Sequence, residues 1–351
     1  MIDSAAASLS PLDIRRDVPV AEWDSFVDSH PDATIYHRSE WAPLLQEVFG
    51  RRMIRLAAVA EGRVVGILPI VPFVSPLFGR FATSMPFMNY GGIATSHAGA
   101  ARALLDAAVV DSRAARARYL ELRHTRRVFD HLPVQTRKVS MVLPLESTVD
   151  AQFAAIDRKL RNQVRKAEKS GLTVRTGGVE LAGAFHQVLA ENMRDLGSPV
   201  HGRRFFEAIL RALPSRSRIF TVWLGDVPVA ASCVLWHRDR LEVPWASSLR
   251  RYNPLCPNIL LYWEMLKFGV ERGFASFDFG RSTPQEGTYL FKQQWGAQPV
   301  PLFWEYWLAE GAEVPDRSPK NPKFSFALEI WQRLPVPVTT ALGPWIVRGI
   351  P

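Results

Sequence analysis

The stretch Phe277-Asp-Phe-Gly-Arg-Ser-Thr-Pro-Gln-Glu-Gly-Thr-Tyr-Leu-Phe-Lys-Gln-Gln-Trp-Gly296 carries most of what this chain implies. Ser276 to Phe279 alternates as a strand, breaks at Gly280, and then delivers Arg281, Glu286, Tyr289, Phe291 and Lys292 in quick succession. A loop this rich in charge, glycine and aromatic surface points to a site rather than to packing. Lys292 and Arg281 are the candidates for binding and charge stabilisation. Asp278 and Glu286 are the nearby carboxylates. Asp278 sits between Phe277 and Phe279, so it reads either as a catalytic carboxylate or as a structural partner of Arg281.

Upstream of this stretch the pattern of elements occurs twice. Helical periodicity covers Val20 to Val27, Ser39 to Phe49 and Ala98 to Ala115, and apolar β-branched runs at Met53–Ala60 and Arg63–Phe73 form a hairpin about Glu61-Gly62. Tyr119–Arg123 and Val139–Leu145 read as further strands. The second half repeats the order, with helices at 151–170, 180–195, 203–213 and 258–272, and a hairpin of 219–224 with 227–236. This implies duplication of one α/β unit. The expected organisation is a first lobe over 11–147, a second over 148–310, and a Pro-rich apolar tail over 311–351 that docks on the body. That tail carries Phe324, Phe326, Ile330, Trp331 and Trp345, too apolar for a solvated linker. Contact with a membrane surface is the alternative use of it.

Length and composition fit a two-core globular protein, with 351 residues, 47% hydrophobic and 22% charged. No run of about 18 uncharged apolar residues exists, and the N-terminus lacks a basic segment before an apolar one. The expected location is the cytoplasm, with the inner face of the membrane as the second choice. The two cysteines offer neither metal spacing nor a disulfide framework, and no tightly bound cofactor or metal is expected. The 43 basic against 34 acidic residues, net +9, favour an anionic partner.

The segment 158–172, Arg-Lys-Leu-Arg-Asn-Gln-Val-Arg-Lys-Ala-Glu-Lys-Ser-Gly-Leu, sets Arg158, Arg161, Arg165 and Lys169 on one helical face opposite Leu160 and Val164. So many like charges repel one another, and a phosphate-facing role explains them better than a solvated surface. No Walker loop, Gly-x-Ser-x-Gly elbow or zinc-protease helix is present, nor is the Gly-rich loop that usually cradles the coenzyme A pyrophosphate.

Taken together, these segments resemble the Fem-like (FemAB/GNAT-type) acyl and aminoacyl transferases, and within them the proteins associated with exosortase and exopolysaccharide systems. Phe291-Lys292 followed by Trp295-Gly296 is similar to the family's closing signature. The resemblance implies an α/β fold of two tandem GNAT-like lobes with mixed sheets flanked by helices. It further implies that Arg161 and Arg165 contact the diphosphate of a nucleotide-linked acceptor. In Ser84-Met-Pro-Phe-Met-Asn-Tyr-Gly-Gly92 the family often carries an acid where this chain has Asn89, beside Tyr90. An amide orients a substrate but does not take a proton at neutral pH. The pattern Ala33-Thr-Ile-Tyr36-His37 is also similar to the family's, and adds Tyr36 and His37 as acceptor-side residues.

The expected activity is transfer of an acyl or aminoacyl group onto an amine or hydroxyl of a cell-envelope precursor, such as a nucleotide- or lipid-linked sugar or a peptidoglycan peptide. The donor would be an acyl-CoA or an aminoacyl-tRNA acting as co-substrate; no DNA partner is expected. A non-catalytic scaffold in exopolysaccharide assembly and an RNA-binding protein are the alternatives.

Overall fold

The structure, a computed structural model, describes residues 11–16, 18–76, 78–315 and 322–350, and the side chains of Phe324 and Phe326 lie outside what it describes. The chain forms two compact units. The first comprises the described residues of Met1–Gln46, Gly50–Val134 and Phe303–Val314; the second comprises Glu47–Phe49, Gln135–Leu302 and Pro315–Pro351.

The first unit contains β1 (Asp13–Arg15), α1 (Val20–Ser29), α2 (Trp41–Phe49), β2 (Ile54–Ala60), β3 (Arg63–Ser75), β4 (Gly79–Thr83), β5 (Ala94–Thr95), α3 (Ala100–Ala114), β6 (Tyr119–His124) and β7 (Val134–Gln135). The second contains β8 (Val139–Pro144), α4 (Val149–Ala155), α5 (Arg158–Glu168), β9 (Leu172–Gly177), α6 (Ala182–Asp195), α7 (Arg203–Ala212), β10 (Ser217–Leu224), β11 (Val227–His237), β12 (Arg240–Ser248), α8 (Pro257–Glu271), β13 (Ser276–Ser282), α9 (Gly287–Gln293) and β14 (Gln298–Pro301). The chain then returns to the first unit as β15 (Phe303–Leu308), and α10 (Pro322–Arg333) and α11 (Val336–Val347) close the second.

The first sheet has the order β1-β2-β3-β4-β6-β15-β7 and the second β14-β8-β13-β12-β11-β10-β9. Each holds a parallel pair within a mixed sheet, β4 with β6 and β12 with β13. Each pair follows an antiparallel meander and is joined through a helix, α3 in one case and α8 in the other. The repeat expected from sequence is therefore a repeat of topology. Parallel strands require such a crossover, which is why the two amphipathic helices recur at matching places.

The cores follow the same logic. Leu104, Leu105 and Ala108 of α3 pack on Leu56, Leu68, Ile70, Leu120 and Leu122 of the first sheet, while Trp23 and Val27 of α1 join Ala57, Val59 and Ile67 in a separate cluster. In the second unit α8 buries Leu260, Leu261, Met265 and Leu266 with Val222, Val234, Leu241 and Phe277. Its first turn opens at Pro257, where the missing N–H costs nothing.

Three expectations are corrected. The helix read over 151–170 is two helices. Ile156 and Asp157 are extended between them, Ile156 turns into the core, and the Asp157 carboxylate caps α5 by accepting from the Lys159 amide at 2.7 Å. Pro244 to Ser248 form the end of β12, with Pro244 tolerated because the ladder to β11 is irregular between Cys233 and Leu235. Part of the charged loop after Gly280 is the short helix α9. Finally, β8 belongs to the second sheet and β15 to the first, so the chain crosses between units at 134–135 and again at 302–303 rather than once near 147. The tail packs back on the second unit: Arg194 Nη1 donates to Leu334 O at 3.0 Å, Gln332 Nε2 to Asp195 O at 3.2 Å, and Gly343 lies against Val200.

Candidate functional site

In the second unit, β12 and β13 are paired only at Arg240–Glu242 with Ser276–Asp278. Beyond that point β12 continues along β11, and β13 continues along β8 after an irregularity between Asp278 and Arg281. Two parallel strands thus part, leaving backbone groups on their facing edges outside the ladder. Gly280 makes the irregularity possible, since its φ of 74° lies in the left-handed region.

Asp278 anchors this turn. Its carboxylate is fully buried, and Oδ1 accepts from Ser140 Oγ at 2.5 Å and from the Gly280 amide at 2.8 Å, with Arg240 Nη1 3.9 Å from Oδ2. A carboxylate so committed is a structural acceptor rather than a general base, which corrects its catalytic reading. Lys292, from α9, is buried and its Nζ donates to Gly280 O at 2.9 Å and Arg281 O at 3.0 Å. An ammonium has three protons, so one remains for a ligand. Burial lowers the Lys292 pKa to about 8; the Asp278 charge opposes this and the Arg281 charge adds to it.

Lys138 is a cation that the sequence reading missed. Its Nζ donates to Thr283 Oγ1, and its pKa is lowered by burial and by Arg281, with Glu286 opposing. Arg281 therefore lies within electrostatic reach of both Lys138 and Lys292 at the end of the diverging strands. Ser282 Oγ, next to Arg281 in the chain, is also buried without a hydrogen-bond partner among the described residues. An unsatisfied donor beside clustered cations suits an oxygen-rich anionic ligand. The signals for Lys138 and Ser140 were two polar residues alternating with the apolar Val139 and Met141 at the start of β8.

A pH dependence follows. Between about 8 and 10.5 the unfolded chain holds a proton on Lys292 that the folded chain does not, so stability contributed by this residue rises with pH across that window. Urea unfolding of wild type minus Lys292→Met is expected to show this rise. A pH-independent difference contradicts the buried ammonium.

The remaining residues fall elsewhere. Glu286 is exposed ahead of α9, and Tyr289 and Phe291 pack on the core, Phe291 with its ring 5.1 Å from Tyr262. Arg161 Nη1 is bound to Ala154 O at 2.7 Å, and the Arg165 guanidinium lies 5.3 Å over Phe153. Both arginines bind the α4 turn, with α5's outer face left to Arg158, Lys159 and Lys166.

In the first unit Tyr36 is fully buried, with its ring 6.1 Å from that of Tyr90, and Asn89 is half-buried. His37 Nδ1 accepts from the Thr34 amide at 3.0 Å, so Nε2 donates to Gly92 O at 2.7 Å. Both of its nitrogens are thus engaged, which corrects its reading as a substrate contact. Beside it in the same unit stands His124, whose Nδ1 faces Glu305 on β15 and whose buried Nε2 has no hydrogen-bond partner among the described residues. Sequence reasoning missed it because the two residues are far apart in the chain.

Residues 154–293 match the family described as acetyltransferase (GNAT) domain. No curated protein matches the chain by sequence. Among solved structures, FemX is similar over 83% of this chain and 96% of that chain, at a TM-score of 0.67 and 18% identity. L-PGS from Bacillus licheniformis is similar over 95% and 97%, at 0.56 and 9% identity. A tandem GNAT protein from the clavulanic acid biosynthesis pathway is similar over 87% and 100%, at 0.51 and 14% identity. The fold is a Fem-like tandem of GNAT-type lobes, with the family match falling in the second.

Proposed function

We propose that this protein is an acyltransferase whose second unit binds the activated acyl donor. The observation that carries this reading is the convergence of Lys138, Arg281 and the buried Lys292 where β12 and β13 part. In the reaction an amine or hydroxyl attacks the acyl carbonyl, the bond to the carrier breaks, and the nucleophile's proton leaves. Charge that develops on the carbonyl oxygen and the departing carrier needs fixed donors in a dry site. The third Lys292 proton and the edge amides freed by strand divergence supply them, and Lys138 and Arg281 hold the carrier's phosphates. The donor is an acyl-CoA or an aminoacyl-tRNA, and the acceptor a nucleotide- or lipid-linked sugar or peptide of the cell envelope. Similarity to FemX and to a tandem GNAT protein supports this class of reaction. Incubation with each donor and a UDP-linked amino sugar, followed by mass spectrometry, tests it. Acylated product that Lys292→Met eliminates is expected; no Lys292-dependent product from either donor overturns it.

We further propose that the protein binds anionic membranes, a reading supported by its last helix. α11 is seated through Thr339, Gly343 and Val347, and its exposed positions Pro337, Val338, Ala341, Leu342 and Trp345 are all apolar, with Trp345 75% exposed. Arg348 follows this face, and Gly202, immediately before the exposed Arg203 and Arg204, lies against Pro344. A 12-residue helix is about 18 Å long, too short to offer the roughly 800 Å² per partner of a standard dimer interface. An apolar strip with arginines at its edge suits a lipid surface. Co-sedimentation is expected with vesicles containing phosphatidylglycerol, weakened by salt and by Trp345→Ser. Equal binding to neutral vesicles, or none to either, contradicts it.

A further inference from the structure

β6 is buried at every residue from Tyr119 to His124, although it carries Glu121, Arg123 and His124. The first two pair with each other. His124 faces Glu305, and the pair forms a directed dyad. Glu305 Oε1 accepts from the Phe129 amide at 2.7 Å, and Oε2 accepts from the Val128 amide at 3.1 Å and lies 2.6 Å from His124 Nδ1. Burial works to raise the Glu305 pKa, but the His124 hydrogen bond and charge and the two amides outweigh it, and the carboxyl is held below its ordinary value. An ionised carboxylate at this distance keeps the imidazole proton on Nδ1. Nε2 of the neutral ring is then an acceptor. It is buried, and it has no partner among the described residues.

The surroundings are built to present that nitrogen. A Cβ at position 92 would stand 2.1 Å from His124 Cδ2 and 2.7 Å from Nε2, so only glycine fits. Gly92 is itself fixed, its amide donating to Arg123 O at 2.9 Å and its carbonyl accepting from His37. Gly92 is thus a seat for the His124 ring, while Gly91 lies against Met85. His124, His37, Gly91, Gly92, Asp32 and Arg126 line a cavity of about 10 Å³. That is room for roughly one water-sized group.

A nitrogen or oxygen at the end of a ligand fits such a cavity; a phosphate or an acyl chain does not. Its chemistry favours a donor. Nε2 accepts, Asp32 adds a carboxylate, and the nearby cations are committed, Arg126 Nη2 to Asp32 at 2.7 Å and Arg123 to Glu121, Met85 O and Met88 O. Among the described residues no group of three His, Cys, Asp or Glu side chains is placed to hold a metal ion.

We propose that this cavity is a primary-amine site, in which the ligand's ammonium gives a proton to His124 Nε2. The N–H bond breaks, the nitrogen keeps the electron pair, and the resulting imidazolium is held against Glu305. The nitrogen is left neutral and nucleophilic, a role Asn89 cannot fill. Only the later fate of that amine rests on the acyl-transfer reading.

The test uses the full chain labelled with ¹⁵N-histidine, and glucosamine as the amine probe, with N-acetylglucosamine and glucose as controls. The Nε2 resonance of His124, assigned by its loss in His124→Gln, is expected to shift toward the protonated position with glucosamine and to stay in place with both controls. Glu305→Gln is expected to weaken the response about tenfold. His124→Gln retains an acceptor but takes no proton; it is expected to melt near wild type, which separates site loss from unfolding. A resonance unmoved by glucosamine overturns the proposal, as does an equal shift with glucose, which would make the cavity a hydroxyl or water site. Either failure leaves donor binding by the second unit intact, so the two readings fall separately.

Discussion

Replacing Lys292 by methionine is expected to lower acyl transfer by about 10²- to 10³-fold, the effect of removing one preorganised donor from an acyl-transfer site. The fold should survive. Methionine fills a similar volume, and the ammonium it replaces is one that burial disfavours, as its pKa of about 8 records. The carbonyls of Gly280 and Arg281 lose their shared donor, and an under-satisfied carbonyl is tolerated better than an orphaned N–H. Steady-state kinetics beside a melting curve distinguishes the two consequences. Activity within about threefold of wild type would remove Lys292 from the reaction and assign the charge stabilisation to other groups.

The second large effect is on stability. Arg123→Ala is expected to cost about 3–5 kcal/mol, because it leaves the carboxylate of Glu121 buried without its cation. Arg123 Nε donates to Glu121 Oε1 at 2.8 Å, its Nη1 to Met85 O and Met88 O, and its guanidinium lies 4.5 Å over Trp304. Tyr306 Oη satisfies the other Glu121 oxygen at 2.9 Å. A domain holds only about 5–15 kcal/mol in total, so the first unit would approach unfolding. Urea denaturation measures it. A loss below about 1 kcal/mol would mean that water reaches Glu121 once the arginine is gone.

The parts legible in the sequence were those that one short window can encode. Both hairpins, α3 and α8 announce themselves by period and by turn residues, and their recurrence in one order conveyed the repeat. The parts missed depend on distant partners. Tyr119–Arg123 alternates like a strand with one wet face, yet β15 supplies Tyr306 to Glu121 on that face and Glu305 to His124 on the other, and nothing near β6 in the chain foretells it. β12 was obscured by Pro244, which an irregular ladder accommodates. The site shows the same division. Lys292 was conspicuous amid charge and aromatics, while Lys138 belongs to it only because β8 pairs with β13. His37 was misread because a histidine beside a helix start looks available until its two backbone partners are counted.

The central claim is that the cation cluster on β13 and α9 receives the acyl donor. The most direct measurement is calorimetric titration of the full chain with acetyl-CoA and, separately, with an aminoacyl-tRNA, each repeated on Lys292→Met and Arg281→Ala. Saturable binding of one donor, lost or weakened at least tenfold in both variants, is the predicted result. Binding of either donor with equal affinity in all three proteins would place the donor elsewhere and contradict the account.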